Sequence, residues 1–264
     1  MQAISLQWAY AALRRKLTGR GLDTDPRLIY RDRDFAIAWK PGSSKKLVLV
    51  FAGIRAKGFH PEKLDFHGVA SDLGQNHVLF ITDRHASWYS RKGMRDRIIT
   101  QVRKFADAHG IGSMQAIGNS MGGHGAILFC RDLPISNVMA FVPQIAMHEW
   151  LLSMEDWDKH RPHIKNDVER DLNPIIAASD AKFSIAFGDQ YKNDQIHFGH
   201  LRKILPLVEN VKVVVVPGQA HDVAAWLKGQ GHLASFVRAM MTGNRAEIEN
   251  ISRLLARPLD LTLT

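Results

Sequence analysis

Apolar residues along this chain fall into two alternating rhythms. Lys46–Phe51 reads KLVLVF, a continuous apolar run of the kind found in a strand covered on both faces. Similar short runs recur at His77–Ile81 (HVLFI), Met114–Ile117 (MQAI), Val138–Val142 (VMAFV), Phe183–Phe187 (FSIAF) and Val211–Val216 (VKVVVV). Helix-like segments lie between most of them, at Met94–His109, Met121–Cys130 and Asp194–Leu205, and another follows the last run within Asp222–Val237. This alternation predicts an α/β fold with a mostly parallel central sheet and helices on both faces. Two shorter β-like stretches, Leu28–Arg31 and Phe35–Trp39, come first, followed by a Pro41-Gly42 turn.

The two ends of the chain carry helical spacing. Leu6, Ala9, Tyr10, Leu13 and Leu17 share related faces, which predicts an N-terminal helix over about residues 4–18, stopped by Gly19 and Gly21. Ala246–Leu255 is amphipathic through Ile248, Ile251, Leu254 and Leu255. That face is suited either to pack on the sheet or to pair two chains as a homodimer. One segment breaks the rhythm: the connection Ile145–Lys182 is longer than a crossover helix needs. It holds Trp150, Trp157, His160, Arg161 and His163 and reads as a short helical insertion, about 146–181, standing over the strand ends. A plain surface excursion is the alternative. With no repeat or linker, residues 1–264 read as one domain.

Composition narrows the class. At 264 residues, 45% hydrophobic and 23% charged, the chain is long enough to bury a large core without staples. Cys130 is the only cysteine, which removes a disulfide framework and any cysteine-based zinc site. The histidines are scattered without ligand spacing, so neither a metal nor another cofactor is expected. No run reaches the roughly 20 apolar residues of a membrane span. In the first helix the charges Arg14, Arg15 and Lys16 follow the apolar run, unlike a signal peptide, so a cytoplasmic location is expected. The net charge of +9 invites a nucleic-acid reading. However, the basic residues are spread over Arg14–Arg20, Lys45–Lys46, Arg91–Lys104 and Arg202–Lys203 without an aromatic stripe. A mildly basic solvated surface, favourable to an anionic substrate, is the expectation.

The chemistry concentrates in Gly118-Asn119-Ser120-Met121-Gly122-Gly123, which follows the MQAI run and opens a helix-like segment. A serine on a sharp strand-to-helix turn takes strained backbone angles, and side chains two positions before and after it would collide. Gly118 and Gly122 meet that demand. The result is an exposed Oγ beside a helix N-terminus, with the Met121 N–H available to an oxyanion. A nucleophilic serine needs a base and an acid that orients it. The last apolar run ends in Pro217-Gly218-Gln219-Ala220-His221, which puts His221 over the strand ends. For the acid, the loop after FSIAF offers Asp189 and Asp194. Asp194, at the far end of the loop and feeding the next helix, is preferred; Asp189 is the alternative acid. Their other roles would be helix N-cap and turn former.

The order Ser120, Asp194, His221 is that of α/β-hydrolases, and from about Leu28 to Val237 this sequence resembles the α/β-hydrolase superfamily. The resemblance implies an eight-stranded-type core, a triad above the strand ends and a cap inserted after the sixth strand, where Ile145–Lys182 falls. It also implies an oxyanion-hole N–H just after the third strand. That loop here is Phe51-Ala52-Gly53-Ile54-Arg55, with Ala52-Gly53 in place of the usual His-Gly pair. The backbone N–H of Ile54 takes the role, and Arg55 is a candidate for an anionic group of the substrate. Trp88 and Tyr89 follow the HVLFI strand and are candidates to line the pocket or to pack its loop, while Trp150 and Trp157 are candidates from the insertion. Cys130 reads as a buried, inert thiol.

These residues predict a serine hydrolase cleaving an ester or related acyl bond of a small molecule or an acylated glycan, with no cofactor, no nucleic-acid partner and no membrane span. Two rivals share the pattern: an acyltransferase using the same triad, and a binding protein on a hydrolase fold.

Overall fold

The computed structural model describes residues 26–54, 64–148, 158–165, 167–254 and 260–263. The expected N-terminal helix, Arg55, Trp150 and Trp157 lie outside them. Among the described residues nine strands form one sheet: β1 (Arg27–Arg31), β2 (Phe35–Lys40), β3 (Lys46–Phe51), β4 (His77–Asp83), β5 (Ser113–Asn119), β6 (Ile135–Phe141), β7 (Lys182–Gly188), β8 (Val211–Val216) and β9 (Asp260–Leu263). Their spatial order is β1-β2-β4-β3-β5-β6-β7-β8-β9. Strands β3 to β8 run parallel, and β1, β2 and β9 join antiparallel at the edges.

Eight α-helices accompany the strands among the described residues: α1 (His67–Ser71), α2 (Met94–His109), α3 (Met121–Leu128), α4 (Asn173–Ala178), α5 (Lys192–Arg202), α6 (Val223–Gly229), α7 (Leu233–Thr242) and α8 (Arg245–Leu254). The apolar runs are continuous because both sheet faces are covered. In β3, Leu47, Leu49 and Phe51 face one core with α2, α3 and α5, while Val48 and Val50 face a second core with α1, α6, α7 and α8. α2 shows how a face is chosen: Met94, Ile98, Val102, Phe105 and Ala106 recur at helical spacing and are buried. Gly110, with φ of 59°, ends it by closing back onto Ala106 and Asp107 carbonyls.

Three elements differ from the pattern expected. The stretch within Asp222–Val237 is two helices, α6 and α7, separated at Gln230–His232 where Gly231 takes φ of 77°. α1 and β9 lie outside the predicted elements. The amphipathic tail, α8, packs against α7 with Ile248 and Ile251 buried in the second core. No helix among the described residues is long and apolar enough to cross a membrane.

The chain visits β4 on one side of β3, then crosses to β5 on the other. Such a reversal opens a crevice above the carboxyl ends of the parallel strands, where ligands bind in open α/β sheets. The loops after β3 and β5 therefore flank the place where chemistry is expected.

Candidate active site

Ser120 sits between β5 and α3 with φ 56° and ψ −122°, a conformation strained for any L residue. The local fold over-determines it. The Ser120 N–H donates to the Phe141 carbonyl (2.8 Å), and the Ser120 carbonyl accepts from the His124 N–H (3.0 Å). Both flanking glycines are forced by close backbone approach. A Cβ on Gly118 would lie 2.1 Å from the Gly122 carbonyl oxygen, and one on Gly122 would lie 2.0 Å from that of Phe51. Helix α3 is buried along its whole length, so the turn is anchored in the core. Met121 is its first residue, and a helix's first N–H groups have no intrahelical acceptor.

Three loops converge on the Ser120 hydroxyl. His221, five residues beyond β8, brings Nε2 to 2.8 Å from Ser120 Oγ, and its Nδ1 lies 2.7 Å from Asp194 Oδ1. A carboxylate only accepts, so Nδ1 carries the proton and donates to Asp194. Nε2 is then the acceptor, and the Ser120 hydroxyl donates to it. Asp194 is fully buried in the first turn of α5. Burial pushes its carboxyl above the usual carboxylate range, and the hydrogen bond and charge interaction with His221 oppose that rise. The second oxygen, Oδ2, has no hydrogen-bond donor among the described residues. Asp189 is used differently: its Oδ1 accepts from the Gly218 N–H (2.6 Å) and from Gln190 Nε2 (2.8 Å), tying the β7 loop to the β8 loop.

Gln144 was absent from the sequence candidates, yet its Nε2 lies 3.3 Å from Ser120 Oγ. It follows Val142, which has φ 41°, a left-handed value unusual for a β-branched residue. The amide orientation is fixed from behind. Trp88 Nε1 can only donate, and it does so to Gln144 Oε1 at 3.0 Å, so Nε2 is the atom turned toward the serine. Ser120 Oγ thus donates to His221 and accepts from Gln144. No local pattern marks this contact, because it depends on a strained turn after β6 and a tryptophan 56 residues away in sequence.

A cavity of about 880 Å³ opens above these groups. Ser120, Gln144, Asp194 and His221 line it together with Gly53 and Ile54 from the β3 loop. Asp65 accepts from the Gly53 N–H (3.3 Å) and braces that loop. Polar side chains also reach the cavity walls: Lys159 and His160 from the insertion, Tyr191 and Asn193 at the start of α5, Asp222 just before α6 and Lys228 within it. Trp88 also lines it and meets the His160 ring edge-on at 5.7 Å. Tyr89 packs away from the cavity, edge-on against Phe51 and Phe129. The Trp88–Tyr89 loop is shaped by Asp83, whose Oδ2 accepts from the N–H groups of Ser87 and Tyr89 and from the Ser87 hydroxyl.

Two fully buried histidines support this floor. His124 Nδ1 contacts the Gln144 carbonyl at 2.8 Å, and burial lowers its ring to about 4. His197, on α5 with Asp194, is lowered to about 3, first by burial and then by the neighbouring His124, His221 and His200. Both are neutral at physiological pH. Burial pushes the Cys130 thiol up to about 12, which disfavours a thiolate there. Two basic residues of the Arg91–Lys104 stretch are ion-paired rather than free: Arg91 and Arg97 hold buried Asp34 at 2.7 and 2.6 Å.

No protein-family model matches this sequence, and no curated protein matches it. Solved structures do. The capsule O-acetyltransferase of Neisseria meningitidis serogroup A aligns at a TM-score of 0.60 and 13% identity, over 79% of this chain and 93% of that one. Est1E from Butyrivibrio proteoclasticus aligns at 0.57 and 13% identity, over 83% of this chain and 100% of its own. Carboxylesterase CesB from Bacillus subtilis aligns at 0.54 and 13% identity, over 90% and 98%. The chain has the α/β-hydrolase fold.

Proposed function

We propose that this protein is a serine-dependent acyl-transfer enzyme that hydrolyses an ester or related acyl bond of a polar substrate. The observation that carries the reading is the continuous relay from Ser120 Oγ through His221 to Asp194, at 2.8 and 2.7 Å. In this mechanism Ser120 attacks the acyl carbonyl while His221 Nε2 takes its proton, and Asp194 stabilises the imidazolium that forms. The backbone N–H groups of Met121 and Ile54 hold the oxyanion, at the helix N-terminus and in the β3 loop. His221 then protonates the leaving group, and water, activated by the same histidine, releases the acyl group. Gln144 holds Ser120 Oγ toward His221. Neither a metal nor another cofactor enters the scheme.

The polar side chains along the cavity, Lys159, His160, Tyr191, Asn193 and Lys228, support a hydroxylated substrate such as an acylated glycan. Arg55, Trp150 and Trp157 remain candidate substrate contacts on the sequence argument. The fold neighbours include both esterases and an O-acetyltransferase, so the acceptor is decided by experiment. Wild type is labelled with a fluorophosphonate probe beside Ser120→Ala and His221→Ala. Labelling that requires both residues supports the reading. Labelling that survives Ser120→Ala, or its absence from folded wild type that also fails to cleave small esters, refutes it. Product analysis with sugars added then separates hydrolysis from transfer.

A further inference from the structure

The last turn of helix α5 contributes His200 to a second cluster, outside the cavity lining. One nitrogen each of His148 and His200 and a carboxylate oxygen of Asp171 lie within 4.8 Å of one another. None of the three lines the Ser120 cavity. We propose that His148, Asp171 and His200 bind a divalent transition metal, with zinc as the type ion, and that this ion clamps both ends of the 148–171 connection to α5.

The contact between His200 and Asp171 is not an ordinary ion pair. Nε2 and Oδ1 are 3.1 Å apart, yet Nε2 is buried and makes no hydrogen bond among the described residues. The ring nitrogen and the oxygen are close but not aligned as a hydrogen bond. A buried polar nitrogen left unsatisfied in this way is costly. A shared cation explains it, because two ligands each about 2.0–2.1 Å from tetrahedral zinc lie roughly 3.3 Å apart without bonding to each other. The His148 ring stands edge-on to His200 with centroids 5.4 Å apart, which brings a second imidazole to the same point. Two imidazoles and a carboxylate are a donor set suited to zinc and its neighbours in the first transition row.

Neighbouring groups fix the Asp171 carboxylate and the helix backbone that carries His200. The Asn173 N–H donates to Asp171 Oδ1 at 2.9 Å, and Asn173 Nδ2 donates to the His200 carbonyl at 3.0 Å. Arg170, beside Asp171 in sequence, donates to the Met147 carbonyl at 3.1 Å. The Ala146–Asp171 bridge already brings the two ends of the connection together. An ion at this point would fasten them to the helix whose first turn carries Asp194. The ligands come from three places distant in sequence, so no spacing motif announces the site.

The test is zinc binding to the full-length protein after dialysis against chelator, followed by calorimetric titration, with cobalt(II) as a spectroscopic stand-in. One zinc per chain is expected, with a rise in thermal midpoint and visible cobalt d–d bands of a low-coordinate site. Loss of a direct ligand in His148→Gln, Asp171→Asn or His200→Gln is expected to weaken binding by at least about tenfold, the lower end of what lost outer-shell partners cost. Absence of stoichiometric binding in folded wild type would overturn the proposal, whether or not the variants fold. So would binding of equal affinity in all three folded variants, since it would place the ion among the other histidines.

Discussion

Acidification is the perturbation whose size follows most directly from the structure. His124 and His197 are both fully buried and neutral, held at about 4 and about 3 against an ordinary histidine value of 6.5. Their folded-state values are depressed, so below pH 6.5 the unfolded chain binds protons that the folded chain refuses. Stability therefore rises with pH across the window from about 4 to 6.5 and is lost as pH falls through it. At about pH 5 the unfolded residue is almost fully protonated and the folded one almost fully neutral. The loss is then set by the distance from 6.5, about 1.5 pH units, or about 2 kcal/mol per histidine. It barely depends on how far below pH 5 each folded value lies. The pair together removes about 4 kcal/mol, a large part of the roughly 5–15 kcal/mol typical of a domain. Urea unfolding followed by tryptophan fluorescence at about pH 7.5 and pH 5 measures it. His124→Asn preserves a donor toward the Gln144 carbonyl, and His197→Asn preserves an acceptor for the Ala146 N–H. Each variant should lose about 2 kcal/mol less than wild type between the two pH values, whatever its starting stability. Variants that show the wild-type pH dependence would refute the argument that these rings are neutral in the fold.

Other consequences are as definite. Asp194→Asn should lower kcat by about 10³-fold or more by removing the group that sets the His221 tautomer, while Asp189→Asn should cost only a few-fold; steady-state kinetics on one activated ester decides between them. Gln144→Ala should lower kcat by about tenfold with KM little changed, since a single neutral hydrogen bond to Ser120 Oγ is lost. Trp88→Phe should reproduce part of that fall by freeing the amide. Gly122→Ala drives a methyl into the Phe51 carbonyl and should destabilise the fold by about 1–3 kcal/mol or more, read by urea denaturation, with probe labelling of the remaining folded protein reduced.

The layered fold was legible because burial on both sheet faces writes itself as unbroken apolar runs, and β3 as KLVLVF is the clearest. The elbow was legible because its glycines answer a local clash that spacing alone implies. Less was visible where the cause is distant. α1 spans only His67–Ser71, too short for periodicity, and β9 is defined by its pairing with β8 rather than by its own pattern. The α6–α7 break depends on Gly231 at positive φ, which a glycine permits but does not announce. For the acid, sequence favours Asp194 with Asp189 as the alternative, because both flank the same loop. The fold separates them: Asp194 lies inside the first turn of α5 and reaches His221, while Asp189 is committed to the Gly218 N–H. Gln144 and the two neutral histidines were invisible for the same reason, since each is defined by partners on other elements.

Ser120 and His221 are separated by 101 residues. Everything that strains Ser120 comes from β3, β5, β6 and α3, so that half of the sheet can shape the turn by itself. His221 joins it only when β7 is paired with β6 and β8 with β7. A chain whose β7 and β8 are still unpaired would hold the Ser120 hydroxyl without His221 beside it. Regain of probe reactivity in refolding should accordingly require the pairing of β7 and β8, and should not precede the recovery of helical and fluorescence signals. On the proposed chemistry, reactivity serves as a clock that starts only when the last parallel strand has docked.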